Sequence, residues 1–285
     1  MDLAYRILNV FTVDGGRFSG NPLCVFEDGR GLDDATMQAL AQQLNLSETT
    51  FILPPVSPGA TARVRIFTPG FEMPFAGHPT LGTAQVIRAL GAAGDQVALE
   101  MKAGLVEVMA RGDRWTLRTV RAPEVRAPEA SPDLLASMVG LPAGSVRQPL
   151  WIDTGSEQLV LPVATPEQVR TVRPDRGQLE LHGRQPGGGE VMVYLWAASG
   201  PGRVLARFFS IENGALVEDP ATGSACANLG GWHLAAGSAR PLSLTVDQGE
   251  AVGRPSRLEL TVDRSGGIFV SGQVVELGRG IFRLS

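Results

Sequence analysis

Lysine is almost missing. Lys102 stands alone in 285 residues, so nearly all the positive charge is arginine, a usage we attribute to codon bias before function. Charge of one sign is also lacking: 25 basic against 29 acidic residues leave a net charge of -4 and a pI near 5.5. That balance offers no basic footprint and excludes nucleic acid as an expected partner. No window approaches the ~20 apolar residues that a membrane span needs, so no membrane partner is expected either. The opening residues 1–6 lead into strand-like alternation with no basic-then-apolar pattern, and a cytoplasmic location is expected. Only Cys24 and Cys226 carry thiols, too few for a disulfide framework, and a reduced compartment is the simplest reading. His78, His182 and His233 lie too far apart for a zinc motif, so no metal is expected.

What is present is length and punctuation. The chain is long for one core and comfortable for two lobes of roughly 100–150 residues each. Its 35 glycines and 20 prolines separate many short apolar runs. Strands are expected at 5–13, 23–26, 50–53, 62–67, 97–101, 106–109 and 115–120. Helices are expected at 33–44 and 79–90, the second so apolar that much of its circumference must be buried. Residues 121–130, with two prolines and alternating charge, read as a linker, and Ser131-Pro132 opens a short helix after it. Further strands are expected at 158–162, 191–195, 204–209, 242–246, 257–262, 268–273 and 281–284, with a helix of small residues from 220 to about 236. Gly187–Gly189 precedes a strand, so it reads as a loop and not a phosphate cradle.

Two segments match. His78-Pro79-Thr80-Leu81-Gly82-Thr83-Ala84 lines up with Asp219-Pro220-Ala221-Thr222-Gly223-Ser224-Ala225, an offset of 219 − 78 = 141 residues that Phe67 and Phe208 share. The context suggests a duplicated structure. Each proline suits a first helical position, where no amide hydrogen bond is lost, and Asp219 would serve as a cap. A helix start exposes unpaired N–H groups and the positive end of the dipole. Two such starts facing one cleft would bind a carboxylate without lysine or arginine. The plainer alternative is a pair of well-packed helix starts.

At these residues the sequence resembles the phenazine-biosynthesis PhzF-like family, within the diaminopimelate-epimerase fold. The likeness rests on Phe11-Thr12 with Gly20-Asn21-Pro22-Leu23-Cys24-Val25, on Met37-Gln38 leading to Asn45-Leu46-Ser47-Glu48-Thr49-Thr50-Phe51, on Ala76-Gly77-His78-Pro79-Thr80-Leu81-Gly82, on Glu218-Asp219-Pro220-Ala221-Thr222-Gly223-Ser224-Ala225, and on Gln248-Gly249 and Ser271-Gly272. The resemblance implies an α+β protein of two pseudo-symmetric lobes, each a curled, mostly antiparallel sheet around a central helix, with the active site in the cleft between them. The expected lobes are 1–120 and 121–285, the last strand (about 275–285) returning to the first lobe. It further implies a cofactor-free isomerase, usually a homodimer, acting on a small carboxylic acid as trans-2,3-dihydro-3-hydroxyanthranilate isomerase does.

Carried over by motif, Glu48 would be the catalytic acid/base. His78, Asp219 and Ser224 would orient substrate with Ser47 nearby, and the amides around Gly77 and Gly223 would hold its carboxylate. Read on its own, Glu48 beside serine and threonine is an ordinary solvated or capping residue; the resemblance reverses that reading. At the mouth of a core, desolvation would raise its pKa toward neutrality, as a group that both takes and returns a proton requires. His78 could instead be structural, Asp219 only a cap and Ser224 only packing. Two rival functions stay open. One is a two-thiol racemase or epimerase of the same fold, disfavoured because Cys24 lies in an apolar strand and Cys226 beyond the expected first turn. The other is a non-catalytic binding protein, whose affinity would be insensitive to Glu48→Gln.

Overall fold

The structure is a computed structural model that describes residues 1–119, 121–212 and 214–284. The chain divides into two units, Met1–Arg118 with Ser271–Ser285, and Thr119–Val270. The first contains β1 (Asp2–Val10), β2 (Asn21–Phe26), α1 (Asp34–Leu44), β3 (Glu48–Leu53), β4 (Ala62–Phe67), β5 (Glu72–Met73), α2 (Gly77–Ala89), β6 (Gln96–Met101), β7 (Gly104–Arg111) and β8 (Arg114–Arg118). The second contains β9 (Glu124–Arg126), α3 (Pro132–Met138), β10 (Leu150–Asp153), β11 (Glu157–Pro162), α4 (Pro166–Thr171), α5 (Arg176–His182), β12 (Met192–Gly200), β13 (Arg203–Glu212), β14 (Ala215–Asp219), α6 (Gly223–Ala235), β15 (Leu242–Gln248) and β16 (Ser256–Val262). The last strand, β17 (Ile268–Arg283), leaves the second unit and ends in the first.

In the first unit β17 runs antiparallel to β1 and also pairs with β8, so the sheet curls round and meets itself. The helix α2 fills the curl, lying against β1, β2, β3, β6, β7 and β8. Most of its residues are small or apolar because the strands approach closely: a Cβ on Gly82 would stand 2.5 Å from Leu23 Cδ2. Outside the curl, α1 begins at Asp33, whose carboxylate accepts from the Thr36 amide, and buries Met37, Leu40 and Ala41 against Phe26, Phe51 and Phe67. In the second unit α6 occupies the corresponding place against β9, β10, β11 and β16. There Gly230 and Gly231 admit Ile268, Ile152 and Pro123 within 3 Å of where a Cβ would sit. The short helices α3, α4 and α5 pack Leu135, Val169 and Leu179 onto Leu159, Leu161, Val193 and Leu195.

The two units repeat one another strand for strand. β1–β2 and β10–β11 are antiparallel, β2–β3 and β11–β12 parallel, β3–β4 and β12–β13 antiparallel. β4 and β13 each pair antiparallel with a short strand before the central helix and parallel with the strand after it. Side chains follow: Arg65 grips Glu72 with two nitrogens and stacks on Phe67, as Arg207 grips Glu218 and stacks on Phe209.

This fixes the register of the repeat and corrects the alignment read from sequence. The helices α2 and α6 start 223 − 77 = 146 residues apart, not 141. His78 therefore matches Ser224, Met73 matches Asp219, and Phe67 matches Phe209 in place of Phe208. Pro79 is the third helical residue, and Pro220 lies before α6 altogether. Asp219 is not a cap: it ends β14, and the cap position is Thr222. The expected linker 121–130 contains β9, which pairs with β10, and the two expected final strands are one. Of the strand expected at 115–120, Val120 lies outside the described residues.

Candidate active site

The first unit places Glu48 at the start of β3, in register with Leu23 of β2. Asn45, left-handed at φ 49°, ends α1 and turns the chain into the strand, which brings Ser47 and Glu48 against the first residues of β2. The Ser47 hydroxyl donates to Asn21 Oδ1 at 3.2 Å, and Asn21 is fully buried. The second residue of α2 is His78, also buried, and its Nε2 lies 3.4 Å from Glu48 Oε2. Burial pushes this imidazole down to about 3, against the opposing pull of its hydrogen bond to the Pro22 backbone.

The consequence is chemical. Pro22 offers only a carbonyl, so one ring N–H must donate to it. Because Nε2 makes no such bond, that donor is Nδ1, and in the neutral ring Nε2 carries a lone pair. Glu48 Oε2 therefore faces a ring nitrogen that can accept a hydrogen bond but cannot donate one.

The second unit holds Asp219, Gly223 and Ser224. Thr222 donates its hydroxyl to Asp219 Oδ2 at 2.5 Å and accepts from Gln248 Nε2 at 3.0 Å. Gln248 also donates to the Asp219 carbonyl at 2.9 Å. Gly249, next in the chain, adopts φ +79°, and a Cβ there would fall 2.2 Å from the Arg254 carbonyl oxygen and 2.5 Å from that of Pro220. Only glycine lets these backbones close around the Asp219 turn. Ser224 accepts from Gln158 Nε2 at 2.8 Å. Neither helix start has a side-chain cap, since Ala76 has none to offer and the Thr222 hydroxyl is turned to Asp219.

The structure thus joins Glu48, His78 and, through Asn21, Ser47 around the start of α2 at Gly77. It sets Asp219, Gly223 and Ser224 around the start of α6. Sequence reasoning passed over Asn21 and Gln248 as site residues, although both lie inside quoted motifs. Thr222 was likewise quoted but given no role, while Gln158 and Asn228 lay outside every motif; the usable signal for them was a glutamine and an asparagine placed in otherwise apolar segments. Both thiols are fully buried and held above the ordinary thiol range by desolvation, Cys24 at about 12. Neither is a poised thiolate. Among the described residues no three His, Cys, Asp or Glu side chains group to hold a metal, and no helix is long and apolar enough to cross a membrane.

The sequence profile of the phenazine biosynthesis-like proteins (PhzC-PhzF) matches residues 8–280. The chain belongs to this family. An uncharacterised isomerase of Pasteurella multocida is 36% identical over 97% of this chain and 93% of its own length. The trans-2,3-dihydro-3-hydroxyanthranilate isomerase of Pseudomonas chlororaphis is 32% identical over 97% and 98%. Among solved structures, a PhzF-family phenazine biosynthesis protein of Bacillus anthracis superposes with a TM-score of 0.82 over the full length of both chains at 22% identity, a likeness of fold. This chain is an isomerase of the PhzF type, with the α+β architecture of its relatives.

Proposed function

We propose that this PhzF-type isomerase works without a cofactor, moving a proton between two positions of a small unsaturated carboxylic acid. The observation that carries the reading is the Glu48–His78 contact: a half-buried carboxyl group 3.4 Å from a buried imidazole kept neutral. Glu48 enters the reaction as carboxylate, and the His78 Nε2 lone pair accepts a hydrogen bond from it once it has taken up the proton. As carboxylate it takes a proton from a substrate carbon activated by the neighbouring unsaturation, then returns it further along the conjugated system. His78 and Asp219 would orient hydroxyl or amino groups, with Ser47 supporting the Glu48 turn. The uncapped amides at Gly77 and Gly223, with the Ser224 hydroxyl, would receive the carboxylate and the charge that builds up during transfer. Relatives named for trans-2,3-dihydro-3-hydroxyanthranilate support a substrate of that kind.

The test is incubation in D2O with that compound and a panel of small unsaturated or hydroxylated carboxylic acids. The expected outcome is deuterium incorporation at carbon, lowered about 10²–10⁴-fold in Glu48→Gln while ligand binding is largely kept. Exchange that survives the substitution removes Glu48 from the mechanism. Binding without exchange across the panel favours a binding protein.

A further inference from the structure

Deep in the second unit, two buried amides are connected in a fixed direction. The Thr154 backbone N–H donates to Asn228 Oδ1 at 3.0 Å, and the Thr154 hydroxyl donates to the same oxygen at 2.7 Å. Asn228 Nδ2 donates to the Ser156 carbonyl at 2.8 Å and to Gln158 Oε1 at 2.8 Å. Gln158 Nε2 then donates to Ser224 Oγ at 2.8 Å. Asn228 is fully buried and Gln158 is 1% exposed.

A backbone N–H can only donate and a backbone carbonyl can only accept. Asn228 therefore stands one way round, oxygen toward Thr154 and nitrogen toward Ser156. Its nitrogen draws the Gln158 oxygen, which turns the Gln158 nitrogen toward Ser224. The serine hydroxyl is left as an acceptor from inside the protein, with its own hydrogen free to point elsewhere. An acceptor that is already engaged is also a better donor, because hydrogen bonds in series polarise one another.

The fold does not demand this chain. In the first unit the strand registers put Leu23 where the second has Gln158, and the matched helix starts put Gly82 where the second has Asn228. Leu23 packs directly on Gly82, as Gln158 rests on Asn228. An apolar pair fills the place equally well there, and two buried amides are costly unless every group is satisfied.

We propose that Asn228 and Gln158 are positioning residues that hold the Ser224 hydroxyl as an obligate hydrogen-bond donor, selecting a substrate that presents an anionic oxygen acceptor, a carboxylate, at this point. The proposal rests on the reading of Ser224 as a substrate contact. Steady-state kinetics with trans-2,3-dihydro-3-hydroxyanthranilate test it, and calorimetric affinity replaces KM if the compound binds without turnover. In Gln158→Glu the introduced carboxyl donates to Ser224 while protonated and accepts from it once ionised. The KM ratio of variant to wild type is expected to climb roughly tenfold between pH 5 and 8. Gln158→Met, which cannot capture the serine hydrogen, should show a smaller ratio with no such climb. An ionised carboxyl also repels the substrate directly, so the same change is made in Ser224→Ala, where the climb should vanish.

A climb that persists without Ser224, or is absent with it, overturns the relay. If Ser224→Ala alone leaves KM unchanged, or the compound does not bind, the parent reading falls instead. Neutron diffraction of deuterium-exchanged crystals then still decides the relay. It should show Gln158 Nε2 deuterons aimed at Ser224 Oγ, and a serine deuteron aimed at Gln158 overturns it.

Discussion

The two units follow the same order of strands around the same kind of helix, yet they differ where chemistry is placed. Glu48 opens β3 and Met192 opens the matching β12. His78 and Ser224 are the second residues of their helices, and Ala76 and Thr222 the caps. The matching strands before and after the helices end in Met73 and Met101 in one unit, and in Asp219 and Gln248 in the other. One unit thus sets a carboxyl group against a buried imidazole, with methionines ending the flanking strands. The other surrounds its helix start with amides and hydroxyls of fixed direction. A repeated scaffold fixes where a side chain can stand, and the two units fill the matching positions with different chemistry.

Where the copies agree, a matched pair of substitutions measures what the shared feature contributes. Arg207 and Glu218 are each 11% exposed and bound by two nitrogens. Arg65 holds Glu72 in the same way, but Glu72 also receives Lys102 at 2.6 Å. Removing Arg207 leaves a nearly buried carboxylate uncompensated, so Arg207→Met should cost about 3 kcal/mol of unfolding free energy. Arg65→Met should cost about 1 kcal/mol less, because Lys102 remains on Glu72. Urea denaturation of both variants checks the order. Equal losses would mean that Lys102 contributes nothing and that the two anchors are equivalent.

Where the copies differ, one can be given the other's residue. Gln248→Met places the first unit's residue at the end of β15. It strips a donor from the Asp219 carbonyl and from the Thr222 hydroxyl, which is then free to rotate away from Asp219. The expected cost is about 2 kcal/mol for the unsatisfied buried groups. The reverse substitution, Met101→Gln, brings a polar group in beside Thr80, whose hydroxyl lies 3.6 Å from the Met101 sulfur and already donates to the Ala76 carbonyl. That variant should also be destabilised. If both exchanges are neutral in thermal unfolding, the polar surround of Asp219 is incidental.

Periodicity and punctuation made most strands and both central helices legible, because alternating burial and glycine or proline breaks are local properties. The elements that escaped, among them β5, β9, β10, β14, α4 and α5, are seven residues long or shorter, too brief to show a period of their own. The repeat was visible but misaligned by five residues. Matching prolines and glycines at 78–84 and 219–225 outweighed the longer pairing of β13 with β14 than of β4 with β5, which only the strand registers reveal. Glu48, His78, Asp219 and Ser224 were named through the family motifs, since nothing local marks them. The supporting amides Gln158 and Asn228 belong to none of those motifs. A buried glutamine in β11 becomes meaningful only when Asn228 and Ser224 are seen on either side of it.

The smallest expected effect separates the copies by pH. In the folded chain His78 titrates near 3, well below the 6.5 of an unconstrained histidine, because burial disfavours its charge. As pH falls below about 6.5 the unfolded chain takes up this proton and the folded chain does not, so folding stability declines with acidification down to about 3. By pH 5.5 the loss from this residue should be about 1 kcal/mol relative to pH 7.5. Ser224, its counterpart, cannot titrate in this range. His233 at the other end of α6 is also lowered by burial, and it adds a slope of the same sign that must be held constant. The comparison is therefore wild type against His78→Gln, each unfolded by urea at both pH values. The variant should lose less stability on acidification, by that same amount. If the two slopes coincide, His78 is hydrated or charged in solution, and Glu48 then faces an imidazolium instead of a lone pair.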